Sequence, residues 1–194
     1  LKQTMDRRIW IGGTLPAIVA AAIALVIFAR RPVADSGDAE WFKKTLTEAV
    51  NQADEICITE HSDESDFRSS GEEWSGKLPS IEYQSVVLSP AQKTLLIAET
   101  AKMSSISERW LPGCGPQIHH TFQFVRRSGE TVTMEVCFSC GKIIWDGRGI
   151  IEPEDGLMRL AGFLRQIGMH PRQDWAKLGK ERMKSIPGAP QEIL

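Results

Sequence analysis

Two patterns of hydrophobic and polar positions divide the chain. Residues 9–29 (IWIGGTLPAIVAAAIALVIFA) run without a charge, whereas the sequence after residue 38 breaks into short periodic segments. As a helix rising 1.5 Å per residue, the uncharged run reaches about 31 Å, enough for the hydrocarbon core of a bilayer. Arg7, Arg8, Arg30 and Arg31 bracket it, and Trp10 stands where an interfacial aromatic belongs. A cleaved signal peptide would carry a shorter apolar region of about 7–15 residues and then small residues, not two arginines. The pattern therefore predicts a tail over 1–8, a transmembrane helix over 9–29, a polar linker over 30–38 and one domain over 39–194. Met5 is an alternative start that would shorten the tail. No second apolar stretch of comparable length follows, so the expectation is a single-pass protein whose first partner is the bilayer. Lysine and arginine are nearly balanced across the span, and the expected orientation puts the tail inside the cytoplasm and the body outside. Gly13, Ala17 and Ala21 recur every four residues, a small-residue seam that allows a weak homodimer; an Ala-rich anchor kinked at Pro16 accounts for the same residues.

In the body, Trp41, Phe42, Leu46, Ala49, Val50 and Ala53 recur with helical spacing, predicting a helix over 39–53 with Asp38 as its cap. Residues 55–60 (EICITE) and 81–88 (IEYQSVVL) alternate as strands. Ser89-Pro90-Ala91-Gln92 combines an N-cap serine, proline at the first helical position and a glutamine closing a capping box. It opens a helix to about Met103 that buries Leu95, Leu96, Ala98 and Ala101. Two strands flank Arg127-Ser128-Gly129, a short strand covers 141–146 before an Asp146-Gly147 turn, and a last helix over 153–167 ends at Gly168 and Pro171. The order α-β-β-α-β-β-β-α predicts an α+β domain with a mainly antiparallel sheet and about three helices.

Charge narrows the function. The 23 basic and 25 acidic residues give −2 overall. Residues 1–31 hold five bases and one acid, so the remainder carries 18 − 24 = −6. A mildly acidic body lacks the basic footprint of a nucleic-acid binder. Acids crowd residues 60–73, but Asp63, Glu64 and Asp66 do not follow the EF-hand spacing, and a solvated loop is expected there. His61 and His170 have no ligand-like neighbours and read as surface groups, and Cys57 reads as an ordinary strand residue.

The dense chemistry lies in CGPQIHHTFQFVRRSGETVTMEVCFSCG, residues 114–141. Cys137-Phe138-Ser139-Cys140-Gly141 has the form of half a zinc ribbon. Pairing Arg126 with Glu130 across a three-residue loop sets Phe124 opposite Val132 and Phe122 opposite Met134 on one apolar face. His120 then faces Val136, and His119 faces Cys137 on the polar side with Thr121, Gln123, Thr133 and Glu135. A one-residue slip would mix the aromatics with Thr and Glu. Three outcomes stay open for this cluster. Cys114, His119, Cys137 and Cys140 form a metal site; or Cys114 joins Cys137 or Cys140 in a disulfide, as the oxidising side of a membrane permits; or the cysteines are packed residues. A thioredoxin-like pair fits worst, because MEV and KIIW on either side look like strands rather than a helix start.

The stretch from Cys114 through CFSCG to the last helix resembles a group of uncharacterised bacterial secreted or membrane-anchored proteins. These share a cysteine, a Pro/His-containing segment, a polar hairpin, a Cys-Phe-x-Cys strand end and a closing helix. The resemblance implies an extracytoplasmic body and brings no known activity or cofactor. No HExxH, G-x-S-x-G, phosphate-binding glycine loop or dinucleotide fingerprint occurs. The leading expectation is a non-catalytic binding or scaffolding domain at the bacterial envelope. The alternative is a metal- or thiol-dependent enzyme in which His119 activates Cys137.

Overall fold

The computed structural model describes residues 37–67, 80–107, 115, 117–150 and 153–186. The expected tail, membrane span and nearly all of the linker lie outside the described residues, as does Cys114. Among the described residues no helix is long and apolar enough to cross a membrane.

Among the described residues, six strands form one antiparallel sheet: β1 (Glu55–His61), β2 (Glu82–Val87), β3 (His120–Val125), β4 (Thr131–Cys137), β5 (Lys142–Trp145) and β6 (Arg148–Ile150). Their spatial order is β2-β1-β3-β4-β5-β6. The described residues also form four α-helices: α1 (Gly37–Gln52), α2 (Pro90–Ala101), α3 (Gly156–Gln166) and α4 (Trp175–Met183). The domain is thus α+β, with one strand and one helix more than expected. β6 has three residues, one of them Gly149, too short to show alternation. In α4 the buried residues are Trp175, Gly179 and Met183, and the middle one is not recognisably hydrophobic.

The hairpin register is the expected one. Phe122 pairs with Met134, Phe124 with Val132 and His120 with Val136. The Arg126 amide closes the loop on the Glu130 carbonyl at 2.9 Å, and Gly129 takes φ 85°. At the turn between β5 and β6, Asp146 and Gly147 both have positive φ, 47° and 75°, as a two-residue turn matched to the strand twist requires.

Phe67, Ile81 and Met183 form the smaller of two apolar clusters among the described residues; the larger follows from this register. Ile56, Ile58, Phe122, Phe124, Met134, Val136, Ile143 and Trp145 join buried residues of α1, α2 and α3. Each fully buried large side chain contributes roughly 2 kcal/mol. The Ser89 capping box is present, with the Ser89 amide donating to Gln92 Oε1 at 2.8 Å.

Three expectations need correction. Trp41 is 47% exposed, because α1 buries Ala39, Phe42, Leu46 and Ala49 and leaves Trp41 on the shoulder of that stripe. Ala101 is exposed while Thr100 is buried, its hydroxyl bonded to the Leu96 carbonyl at 2.8 Å. Helix α1 begins at Gly37, so Asp38 lies within its first turn rather than before it, where a negative charge still favours the helix dipole.

Candidate functional site

The end of the sheet where β1 meets the start of β3 is lined with polar residues that are buried. The acidic stretch expected to be a solvated loop supplies part of it. Glu64–Phe67 is a 3-10 turn with Asp66 and Phe67 buried. Asp63 organises the turn: its Oδ1 accepts from the Ser65 amide at 2.9 Å, and its Oδ2 accepts from the Ile118 amide at 3.0 Å. Asp66 Oδ2 accepts from the Asp63 amide at 2.8 Å. These carboxylates serve backbone donors, the Ser65 hydroxyl and one imidazole, and Asp66 is therefore spent inside the fold.

That imidazole belongs to His119. Its Nε2 lies 3.0 Å from Asp66 Oδ1, and its ring stacks on Trp175 with centroids 4.6 Å apart and planes 7° from parallel. Trp175 also meets the edge of His120 at 5.5 Å and stacks on Tyr83 at 5.7 Å. The polar face of the hairpin is thus roofed locally by the first turn of α4. Gly179 makes this approach possible, since a Cβ there would sit 2.9 Å from the Phe67 ring. Burial, and then the Asp66 charge, push the Tyr83 hydroxyl up to about 12.

His120 is 1% exposed and faces the core side of the sheet. Its Nε2 lies 3.5 Å from Glu60 Oε1, an electrostatic contact without hydrogen-bond geometry, and neither ring nitrogen has a hydrogen-bond partner. Glu60 is equally buried and accepts a short hydrogen bond from the His170 amide. Burial raises the Glu60 carboxyl, but His120, the His170 amide and the charges of both rings outweigh it and leave the group below its ordinary value. For His120 burial dominates and lowers the imidazole, which the Glu60 partner only partly offsets. At neutral pH the pair is a carboxylate beside a neutral ring.

Cys137 and Cys140 are joined by a disulfide, with Cα atoms 5.5 Å apart. A disulfide is one of the three outcomes open from the sequence, but with Cys114 as a partner; here the two cysteines of the motif pair with each other. The chain turns sharply between β4 and β5, with Gly141 at φ 66°, so the two cysteines of the Cys-x-x-Cys unit meet each other. The unit sits between strands, as its flanks suggested. Hydrogen-bond donors gather on the sulfurs. The Cys140 amide approaches Cys137 Sγ at 3.1 Å, and the Gln117 amide approaches both sulfurs at 3.4 Å. The Ser139 hydroxyl lies 3.3 Å from Cys137 Sγ; the Gly115 carbonyl, an acceptor rather than a donor, lies 3.4 Å from Cys140 Sγ. Of the expected metal set, Cys137 and Cys140 are therefore together, and His119 points to Asp66. Among the described residues no three His, Cys, Asp or Glu side chains converge to hold a metal ion.

His61, expected at the surface, is half-buried. Its Nδ1 faces the Ser62 carbonyl at 3.0 Å and donates to it, and its Nε2 lies 2.8 Å from the Thr121 hydroxyl. His170 is exposed as expected. Cys57 is an ordinary strand residue, its sulfur 3.1 Å from the Ser85 hydroxyl.

Two clefts flank the disulfide turn. One, of about 370 Å³, lies between His119, His120, Trp175, Phe138, Ser139 and Arg172. The other, of about 450 Å³, runs along α3 past Cys140, Leu157, Met158 and Arg165. Arg172 spans the rim they share and donates from Nη2 to the Phe138 carbonyl at 3.2 Å. The roles of Glu60, Asp66, Arg172 and Trp175 escaped the sequence reading. No known protein family, characterised protein or solved structure matches the chain.

Proposed function

We propose that residues 39–194 are a non-catalytic, extracytoplasmic binding domain held at the membrane by residues 9–29, with its ligand taken up beside Trp175. The observation that carries this reading is the contrast within the site. Cys137 is fully buried and bonded to Cys140, and His119 is committed to Asp66 under Trp175, whereas the cleft next to them stands open. A small cleft in which aromatic and apolar surface meets convergent polar groups, here Ser139, Arg172 and Gln173 beside Phe138, Pro171 and Trp175, is a form that ligand sites take. Native mass spectrometry of the full chain, purified gently from the cells that make it, tests this. A non-covalent adduct should be present and should be lost in Trp175→Ala and in the rim variant Arg172→Ala, each checked for folding by circular dichroism. A chain that carries no adduct, or an adduct indifferent to both substitutions, refutes the reading.

One observation favours a second reading, a thiol- or metal-dependent centre. Amide donors aimed at sulfur stabilise thiolates more than a disulfide. On reduction, Cys137 and Cys140 would present two such thiolates, and Cys114 and His119 would complete the set expected from the sequence. Metal analysis of the reduced full chain, combined with thiol titration, decides it. One bound zinc that shields three thiols supports the metal form; freely titrating thiols without metal exclude it and leave only the thiol form.

A further inference from the structure

The two sulfurs of the Cys137–Cys140 disulfide stand in unlike surroundings. Cys137 is fully buried and lines neither cleft, whereas Cys140 is 4% exposed and lines the larger one, of about 450 Å³. Hydrogen-bond donors favour the inner sulfur. Cys137 Sγ has the Cys140 amide at 3.1 Å, the Ser139 hydroxyl at 3.3 Å and the Gln117 amide at 3.4 Å. Cys140 Sγ shares the Gln117 amide at 3.4 Å, lies 3.9 Å from the Ser139 hydroxyl and faces the Gly115 carbonyl, an acceptor, at 3.4 Å. In thiol–disulfide exchange the sulfur that bears negative charge more easily leaves faster, and the other one is attacked. Donors stabilise a thiolate and a carbonyl oxygen opposes one, so Cys137 is the better leaving group and Cys140 the point of attack. The larger cleft also suits the attacker. Arg165 and Arg172 line it with one carboxylate, Glu154, and net positive charge favours the thiolate form of an incoming thiol.

We infer that Cys137–Cys140 is a redox-active disulfide that oxidises a low-molecular-weight thiol entering along α3, with attack at Cys140 and departure from Cys137. The electron pair of the incoming thiolate forms a bond to Cys140 Sγ, and the Sγ–Sγ bond breaks with its pair leaving on Cys137 Sγ. Charge thus passes to the sulfur that three donors already face. A second thiolate then attacks the small thiol's sulfur in the mixed disulfide. Cys140 leaves, takes a proton from water and turns its S–H to the Gly115 carbonyl. Two small thiols become one disulfide, and the protein disulfide becomes two thiols. This polarity rests on the thiol form of the second reading above and adds a substrate class to it. The exchange consumes the disulfide without turning over, so a ligand-binding domain can carry it.

Glutathione tests the assignment on the full chain, its free thiols first blocked with N-ethylmaleimide. Samples quenched in acid during reduction, then alkylated and mapped by mass spectrometry, should carry glutathione on Cys140 and the alkyl group on Cys137. The rate should be proportional to glutathione concentration and unaltered by urea well below the unfolding transition. Ser139 is exposed, and Ser139→Ala removes one donor from the leaving sulfur. That variant should react about fivefold more slowly and still carry glutathione on Cys140. Glutathione on Cys137, a rate that climbs in mild urea, a disulfide that glutathione leaves untouched, or a rate unaltered in Ser139→Ala overturns the inference. Should glutathione fail while the chain reduced by a phosphine titrates freely without metal, the thiol form stands and the exchange with small thiols falls.

Discussion

The two ends of strand β3 follow different logics. At the Val125 end, alternation and turn chemistry act alone. Phe122 and Phe124 point into the core, Thr121 and Gln123 point away, and the Arg126–Glu130 loop sets the register. At the His120 end both faces of the strand are buried, because the 3-10 turn and α4 close over one face while the core covers the other. Polar residues there are tolerated because each meets a carboxylate from a distant segment, Asp66 at His119 and Glu60 at His120. A strand can thus be amphipathic at one end and buried on both sides at the other, and only the first arrangement announces itself as period-two alternation.

Substitutions should separate the two ends. The largest loss is expected at the apolar end: Phe124→Ala should lower unfolding free energy by about 3–5 kcal/mol in urea titrations. At the polar end, Asp66→Ala should destabilise by about 2 kcal/mol, since it leaves the buried His119 ring without its partner. The roof over that end depends on a close approach, so Gly179→Ala, which drives a Cβ to 2.9 Å from Phe67, should lose about 1–3 kcal/mol in the same assay. The ends should also differ in response to acid. His120 is held below its ordinary 6.5 when folded, so the unfolded chain takes up the proton first as pH falls. Stability from this group is complete above 6.5 and declines below it. Glu60, held below 4.5, adds a second decline beneath that value. Thermal midpoints should therefore fall from pH 7 to pH 5, and His120→Phe should flatten that slope. The smallest effect belongs to the loop: Arg127, 92% exposed in its pair with Asp54, should change stability by less than about 0.5 kcal/mol on replacement by Ala.

These differences explain what could be read from the chain. The hairpin register, the Ser89 capping box and the start of β5 all follow from local chemistry and stand as expected. The acidic run after Glu60 did not reveal its role, because composition alone cannot tell a solvated aspartate from one that caps the backbone of a strand distant in sequence, as Asp63 does at Ile118. Helix α4 stayed hidden for a related reason. Its central contact is an absence of side chain at Gly179, and hydrophobic periodicity does not register a hole shaped for Phe67. The Cys137–Cys140 partnership lay in plain view in the motif, yet Cys114 competed for it, and only the turn geometry distinguishes them.

The sheet order also carries a consequence for how the chain assembles. Strands β3 to β6 follow one another as a meander, each paired with its neighbour in sequence, whereas β1 must find β3 across the whole of β2 and α2, with Ile58 meeting Phe122. Closing so long a loop is slow relative to forming hairpins. The meander is thus the natural nucleus, and β1 with its β2 partner docks late. Glu60 and Asp66 belong to the part of the chain that closes the long loop, so His119 and His120 owe their carboxylates to the slower contacts and not to the meander itself.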